Sequence, residues 1–266
     1  MTYGPRMILH SALRSVTMVA ALLLATFPMH ASAESSLKIV TASSPPMNYL
    51  ENGEVVGFAT RLVREGLSRM GYAADIEILP WKRAVFMTQE GMADAIYYAV
   101  KNPQREAFLV FPEEPLINES TVMIKRLGEI VKVSPDRYDH RGYRLGVGRG
   151  FYYGPKLRRF LERARFAKVE EVADARMNFN KLLDNRIDLA LADLNLARHL
   201  LTDAKYRGKI EIVARPDGVP VVFDSVDSYL AFSKSQDAER LAQAFSEALR
   251  SMKADGSYQR IVAERR

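Results

Sequence analysis

Residues 91–106 read GMADAIYYAVKNPQRE, and this stretch contains the pattern that decides the fold. Residues Ala93–Tyr98, which are apolar or aromatic except for Asp94, predict a buried strand. Asn102-Pro103 is typical of a helix N-cap and first turn, so a short helix that carries Arg105 should follow. The residues before the strand, Lys82–Glu90, have a helical pattern. A helix, a buried strand and another helix in this order indicate an α/β fold.

The residues upstream extend the same alternation. Leu37–Thr41 predicts a strand, Thr60–Met70 a helix with Thr60 as its N-cap, and Asp75–Leu79 a second strand. Gly71 ends that helix. The order βαβαβ implies parallel strands joined by crossover helices.

A second α/β unit begins after a middle segment. Its Asn185–Ala190 segment resembles Gly91–Ile96, because in each a helix ends and an aspartate opens a buried strand. The chain has 266 residues, about twice a typical domain, which also favours two lobes. The remaining predicted strands are Tyr143–Val147, Lys168–Val172, Asp188–Ala192, Ile210–Ala214 and Ser228–Phe232, and the helices are Pro155–Ala164, Asp174–Asn185, Leu194–Thr202, Asp237–Lys253 and Tyr258–Glu264.

Composition excludes several classes of protein. Hydrophobic residues make up 48% and charged residues 26%, which excludes intrinsic disorder, collagen-like repeats and a polytopic membrane protein. Cysteine is absent, which excludes disulfide scaffolds, iron–sulfur clusters and thiol nucleophiles. The four histidines have no metal-binding spacing, so we predict no metal and no cofactor. Basic residues are mixed with acidic ones along the chain, so we predict no nucleic-acid partner.

Five segments, in this order, resemble the family 3 periplasmic solute-binding proteins, the amino-acid receptors of ABC importers. The resemblance spans almost all of the chain after residue 33, and it implies a two-lobe periplasmic-binding-protein clamp (type II-like). The segments are Pro45-Pro46 with Gly57-Phe58, Pro80-Trp81, Gly91–Ile96 with Pro103-Gln104-Arg105, Asn185–Asp188 with Asp193, and Ala254–Tyr258.

The resemblance also implies a domain organisation. Each lobe is expected to hold a mostly parallel sheet flanked by helices, with two crossing hinge strands near 118–121 and 215–222. Lobe 1 comprises residues 34–119 and 219–266, and lobe 2, residues 120–218, is inserted between these two parts. The expected partners are a small amino-acid-like ligand and an ABC permease, and the protein is expected to be a monomer.

The first 33 residues predict a signal peptide. Arg6 and Arg14 form a basic region, Val16–Phe27 is a short apolar run, and Ala31-Ser32-Ala33 matches a cleavage site. The apolar run is shorter than the ~20 residues that a spanning helix needs. We therefore expect cleavage after Ala33 and a periplasmic location. Removal of the two arginines lowers the net charge from +6 to +4.

The resemblance assigns the ligand's two charges to two residues. Arg105 matches the family's arginine, whose planar fork can bind a carboxylate through two hydrogen bonds. Asp193 matches the aspartate of the second lobe that accepts the ligand ammonium, and it can also cap the helix that begins at Leu194. Since the two residues lie in different lobes, a ligand that bridges them favours the closed state.

Other positions depart from the family pattern, and Ser44, Tyr98, Phe151 and Tyr152 among them are also expected to bind the ligand, in a pocket that is on balance more aromatic. Tyr97-Tyr98-Ala99 replaces small hydroxyl residues after the strand, Phe151-Tyr152 replaces a pair of threonines, and Ser44 replaces an aromatic residue. Trp81 falls at a pocket-wall position, although a core tryptophan is the alternative. Tyr98 is expected to face the cleft because residues at the carboxyl ends of strands do so in α/β lobes.

Three functions are compatible with this pattern. The first is a binding protein that delivers a small polar solute, expected to be an amino acid, to an importer. The second is an enzyme on the same clamp, because some relatives resemble cyclohexadienyl dehydratases, which need a carboxyl group in the cleft as general acid. The third is a soluble ligand-sensing module.

Overall fold

Strands and helices alternate along the chain in the computed structural model, which describes Met1 and residues 35–264. The signal peptide predicted at residues 1–33 lies, apart from Met1, outside the described residues. The first elements are β1 Ser35–Thr41, β2 Tyr49–Glu51, β3 Glu54–Val56, α1 Phe58–Arg69, β4 Tyr72–Ile78, α2 Trp81–Gln89, β5 Ala95–Val100, α3 Pro103–Glu106, β6 Leu109–Val110 and β7 Ile117–Arg126. They are followed by β8 Asp139–Gly148, α4 Pro155–Arg163, β9 Arg165–Val172, α5 Ala175–Leu183, β10 Leu189–Asp193, α6 Leu194–Leu200, β11 Ile210–Ile212, β12 Val222–Ser233, α7 Ala238–Ala254 and α8 Ser257–Ala263.

Each lobe is built on three parallel strands. In lobe 1, β1 lies between β4 and β5 and is parallel to both. In lobe 2, β8 lies between β9 and β10 and is again parallel to both. An antiparallel strand, β12 in lobe 1 and β7 in lobe 2, borders each set. The prediction of an α/β fold with a mostly parallel sheet in each lobe is confirmed.

Strands β7 and β12 connect the lobes. They pair with each other in antiparallel orientation, with Ile117 opposite Ser228 and Ser120 opposite Ser225. Beyond this shared segment β7 continues into lobe 2, where it pairs with β10, and β12 continues into lobe 1, where it pairs with β5. The two crossing strands predicted from the resemblance are therefore present. Residues 35–264 together form one compact unit.

Apolar residues pack on both faces of these sheets. In lobe 1, Leu62 and Leu67 of α1 and Phe245 and Leu249 of α7 are fully buried in one cluster. Gly66 lets the two helices approach, because a Cβ atom there would lie 2.6 Å from the Phe245 ring. In lobe 2, a separate cluster contains the buried strand residues Leu145 and Leu189 with Leu157 and Phe160 of α4, as well as Phe223 of β12. Phe223 thus packs with lobe 2.

Two local expectations are corrected. Thr60 is not the N-cap of α1, because that helix begins at Phe58 after Gly57, whose φ is 116°. The Phe58 amide donates to the carbonyl of Pro46, and the Ala59 amide donates to the carbonyl of Met47. Backbone carbonyls therefore accept the hydrogen bonds that a capping side chain would otherwise accept. The second hinge strand, expected near 215–222, is β12, which begins only at Val222 and pairs with β7 as far as Ser228.

Asp224 holds the start of α4 from a neighbouring element. Its buried carboxylate accepts hydrogen bonds from the amides of Lys156 and Leu157, at 2.8 and 3.0 Å. The N-cap residue itself is Gly154, which has no side chain to do this. A Cβ atom on Gly154 would lie 2.4 Å from Asp224 Oδ2, so the glycine allows the carboxylate to approach.

Asp224→Ala is expected to lower the free energy of unfolding by about 2 kcal/mol, because the buried amide of Leu157 and the partly buried amide of Lys156 lose their acceptor. Chemical denaturation of this variant and of Asp136→Ala, which removes an exposed carboxylate, measures the effect. Equal unfolding midpoints for the two variants would contradict this role of Asp224.

Among residues 35–264 no helix combines the length and the apolar character that a membrane span requires.

Candidate functional site

The seven residues predicted to bind ligand all line one cavity between the lobes. They are Ser44, Trp81, Tyr98, Arg105, Phe151, Tyr152 and Asp193. The cavity lies where the carboxyl ends of β1 and β5 in lobe 1 face those of β8 and β10 in lobe 2. This is the edge at which ligands bind in open α/β sheets, since chain segments leave the sheet there and expose a crevice.

Arg105 is buried on the short helix α3. Its Nη1 donates to the Val100 carbonyl at 2.7 Å, and its guanidinium carbon lies 4.8 Å from the centre of the Trp81 ring. Asn102 caps α3 by accepting from the Arg105 amide, as the sequence predicts. Burial lowers the pKa of Arg105 to about 10, and the nearby Glu119 partly offsets this. No described carboxylate forms a salt bridge with Arg105, so the remaining guanidinium donors can bind an anion.

Asp193 lies at the junction of β10 and α6, on the opposite lobe. Its Oδ1 accepts from the amides of Asn195 and Leu196, at 2.7 and 3.1 Å, and therefore caps α6. Its Oδ2 accepts from the Ser120 amide of β7 at 3.3 Å. Burial raises the pKa of Asp193, and these backbone donors counteract the rise. The residue is an N-cap and also part of the cavity wall.

Trp81 forms a direct contact between the lobes. Its Nε1–H donates to the carbonyl of Gly150 at 3.1 Å, and its ring meets that of Phe151 edge to face with centroids 6.2 Å apart. The same ring covers the Arg105 guanidinium. Trp81 also packs in an apolar cluster of lobe 1 with Leu79 and other buried residues. Both readings of Trp81, core residue and cavity wall, therefore describe its position.

Tyr98 reaches the cavity through an irregularity in β5. Its neighbours Tyr97 and Ala99 pair with the consecutive residues Leu230 and Tyr229, so Tyr98 is the extra residue of a β-bulge. Its φ is 62°, a strained value for a non-glycine residue. By contrast, Tyr97 points into lobe 1, where its hydroxyl lies 2.8 Å from Thr60 Oγ1. Backbone strain like that at Tyr98 is concentrated at functional sites, where the surrounding structure maintains it.

Glu119 is a cavity residue that sequence reasoning missed. It lies on β7, and its carboxyl group faces the cavity next to Tyr98 and Asp193. Burial, followed by repulsion from Asp193, raises the pKa of Glu119 to about 8, although Ser228, Tyr98 and Arg105 act in the opposite direction. Burial raises the pKa of Tyr98 well above its usual value, and the two carboxylates add to the rise.

The cavity is small and adjoins a larger groove. Its volume is about 70 Å³, whereas small-molecule pockets typically span ~300–1,000 Å³. Outside the wall formed by Trp81 and Phe151 lies an open groove of about 460 Å³, which Arg105 and Tyr152 also line. Trp81, Arg105, Phe151 and Tyr152 line both spaces and therefore lie between the inner cavity and the groove.

Comparisons with known proteins agree with this architecture. A model of the bacterial extracellular solute-binding proteins, family 3, matches residues 37–264. No curated protein matches the chain. An ancestral arginine-binding protein bound to arginine superposes with a TM-score of 0.73 at 20% identity, covering 87% of this chain and 98% of its own.

Two further solved structures share the fold. An arginine 3rd transport system periplasmic binding protein from Legionella pneumophila has a TM-score of 0.72 at 19% identity, covering 87% of this chain and all of its own. A histidine kinase sensor domain with similarity to periplasmic binding proteins has a TM-score of 0.70 at 16% identity, with coverages of 87% and 96%. At these identities the likeness is one of fold.

Proposed function

The chain belongs to the bacterial extracellular solute-binding proteins, family 3, and from this we propose that its cleft binds an amino acid for delivery to an ABC importer. The main support for this proposal is the position of Arg105 and Asp193, whose opposite charges come from different lobes and line the same cavity. An α-amino acid carries a carboxylate and an ammonium on one carbon, and each needs a fixed opposite charge once water is removed.

We propose that ligand binding and lobe closure are coupled. A zwitterion held by Arg105 of lobe 1 and Asp193 of lobe 2 has both partners only when the lobes meet, so it stabilises the closed form. The hydrogen bond from Trp81 to Gly150 closes the same side of the cleft. The expected division into lobe 1 (34–119 and 219–266) and lobe 2 (120–218) remains part of this proposal. The packing of Phe223 with lobe 2 favours a second boundary slightly beyond residue 218.

The proposed partner is the permease of an ABC importer, which would receive the ligand from a monomeric, closed receptor. Several solved structures of this fold are amino-acid-binding proteins of such importers, including an L-arginine-bound protein from Streptococcus pneumoniae.

We propose that the chain is exported and processed at Ala31-Ser32-Ala33. Mass spectrometry of the periplasmic fraction is expected to find Glu34 as the mature N-terminus. Full-length chain that sediments with the membrane would refute this expectation.

One observation favours a second candidate function, an enzyme that resembles cyclohexadienyl dehydratases. Glu119 is a buried carboxyl group in the cleft with its pKa raised to about 8, so it holds a proton at neutral pH and could act as a general acid. Release of phenylpyruvate from prephenate, followed by absorbance, tests this candidate. Turnover that is lost in Glu119→Gln would favour the enzyme over the receptor.

A thermal-shift screen of the twenty amino acids and small polar solutes tests the proposed function. An amino acid present at a hundred times its dissociation constant should stabilise the protein by ~2.7 kcal/mol. The proposal predicts stabilisation by at least one amino acid. If none of the twenty changes the melting temperature at millimolar concentration, the amino-acid receptor is refuted.

A further inference from the structure

The charges that line the cavity do not match an ordinary zwitterion. Three charged side chains line it, namely the cation Arg105 and the acids Glu119 and Asp193. If the ligand's carboxylate binds Arg105 and its ammonium binds Asp193, Glu119 is left without a counter-charge. Burying a carboxylate in that state is costly, so Glu119 needs either a proton or a second cation.

The position of Glu119 indicates that it serves a ligand. It forms no salt bridge among the described residues, so its only polar side-chain neighbours of opposite effect are the hydroxyls of Tyr98 and Ser228 and the more distant Arg105 guanidinium. Its buried Oε1 and the buried Tyr98 hydroxyl lie close to each other but lack well-formed hydrogen bonds among the described residues. Because Glu119 and Thr121 alternate with Ser120 along β7, both side chains face the cavity.

We infer that Glu119 binds a second cationic group of the ligand, and that the site therefore selects amino acids with a net positive charge over neutral ones. This inference rests on the proposed function, in which Arg105 binds the ligand's carboxylate and Asp193 binds its first cationic group. With two cationic groups and one carboxylate, such a ligand balances all three cavity charges.

Proton release accompanies this mode of binding. Burial and Asp193 hold the pKa of Glu119 at about 8, while the hydroxyls of Tyr98 and Ser228 and the Arg105 guanidinium act against the rise. An added cation favours the ionised carboxylate and lowers this pKa, so Glu119 loses its proton when the ligand binds. The affinity for a cationic amino acid should therefore rise as the pH increases from about 6 to 8, and proton uptake by the buffer should be measurable.

Calorimetry with L-arginine, L-lysine and L-citrulline, the neutral isostere of arginine, tests the inference. The wild-type protein should bind arginine or lysine at least ~10-fold more tightly than citrulline. Glu119→Gln should remove most of this preference and the proton release. Glu77→Gln, which removes an exposed carboxylate on β4, is the matched control and should retain both.

Three outcomes would overturn the inference. Glu119→Gln could weaken arginine and citrulline equally, which would give Glu119 a structural role. The variant could keep both the preference and the proton release. Alternatively, wild-type protein could bind a neutral amino acid but neither arginine nor lysine, in which case the inference fails and the proposed function stands. If no amino acid binds at all, the proposed function fails, and the inference with it.

Discussion

Arg105→Ala is expected to weaken the binding of the amino acid found in the screen by at least ~30-fold. Without the guanidinium, the ligand carboxylate enters a buried cavity with no described cation to meet it, which costs ~2–5 kcal/mol in comparable interfaces. Arg105→Lys should also weaken binding, because a single ammonium cannot reproduce two parallel hydrogen bonds to a carboxylate.

Calorimetry measures this loss, and thermal unfolding shows whether the variants are folded. Arg105 contributes to the fold through its hydrogen bond to Val100 and its contact with Trp81, so a modest decrease in melting temperature is expected. Arg83→Ala, which removes an exposed arginine from the neighbouring helix α2, is the matched control. A folded Arg105→Ala variant with wild-type affinity would show that the anion site lies elsewhere.

Asp193→Asn is expected to cause the second large loss of affinity, at least ~10-fold, since the ligand's cation loses a charged acceptor. Asparagine caps helices about as well as aspartate, so α6 should keep its N-cap. Its Nδ2 cannot replace Oδ2 as acceptor for the Ser120 amide, so the free energy of unfolding should fall by about 1 kcal/mol. Asp193→Ala removes both the charge and the cap, and should cost a further ~0.5–2 kcal/mol of stability.

Comparing the two Asp193 variants separates binding from capping. Calorimetry reports the affinity and chemical denaturation reports the stability. If Asp193→Asn binds as well as wild type while Asp193→Ala is only less stable, Asp193 is a helix cap and has no part in binding.

The parallel strands were predictable because their signals are local. Buried strands such as Ala95–Val100 are nearly continuous apolar runs, and Asn102-Pro103 specifies the start of α3 by itself. The strand β7 lacks this signal, because its first half includes the polar residues Asn118, Glu119 and Ser120. These residues adopt a strand since they pair with β12, more than a hundred residues away in the sequence.

Some residues of the candidate site could likewise be predicted from the sequence, and others could not. Asp193, the last residue of the parallel strand β10, could be predicted to face the cleft from its place in the sequence. Tyr98 is predicted there for the same reason, but it lies within β5 and faces the cavity because of the β-bulge. Glu119 could not be predicted, because a glutamate in a polar segment of sequence normally lies in solvent. Only the crossing of β7 between the lobes buries its carboxyl group beside Asp193. The contact from Trp81 to Gly150 likewise depends on the relative position of two lobes, which local sequence does not specify.

The most direct test of the central claim is a crystal structure of the protein with the amino acid that gives the largest thermal shift. We expect the ligand carboxylate to lie within hydrogen-bond distance, about 3 Å, of the Arg105 guanidinium, and a cationic group of the ligand to lie at the same distance from the Asp193 carboxylate. Trp81 and Phe151 should lie over the bound ligand. A ligand that contacts only one lobe, or one that places neither charge on Arg105 or Asp193, would contradict the central claim.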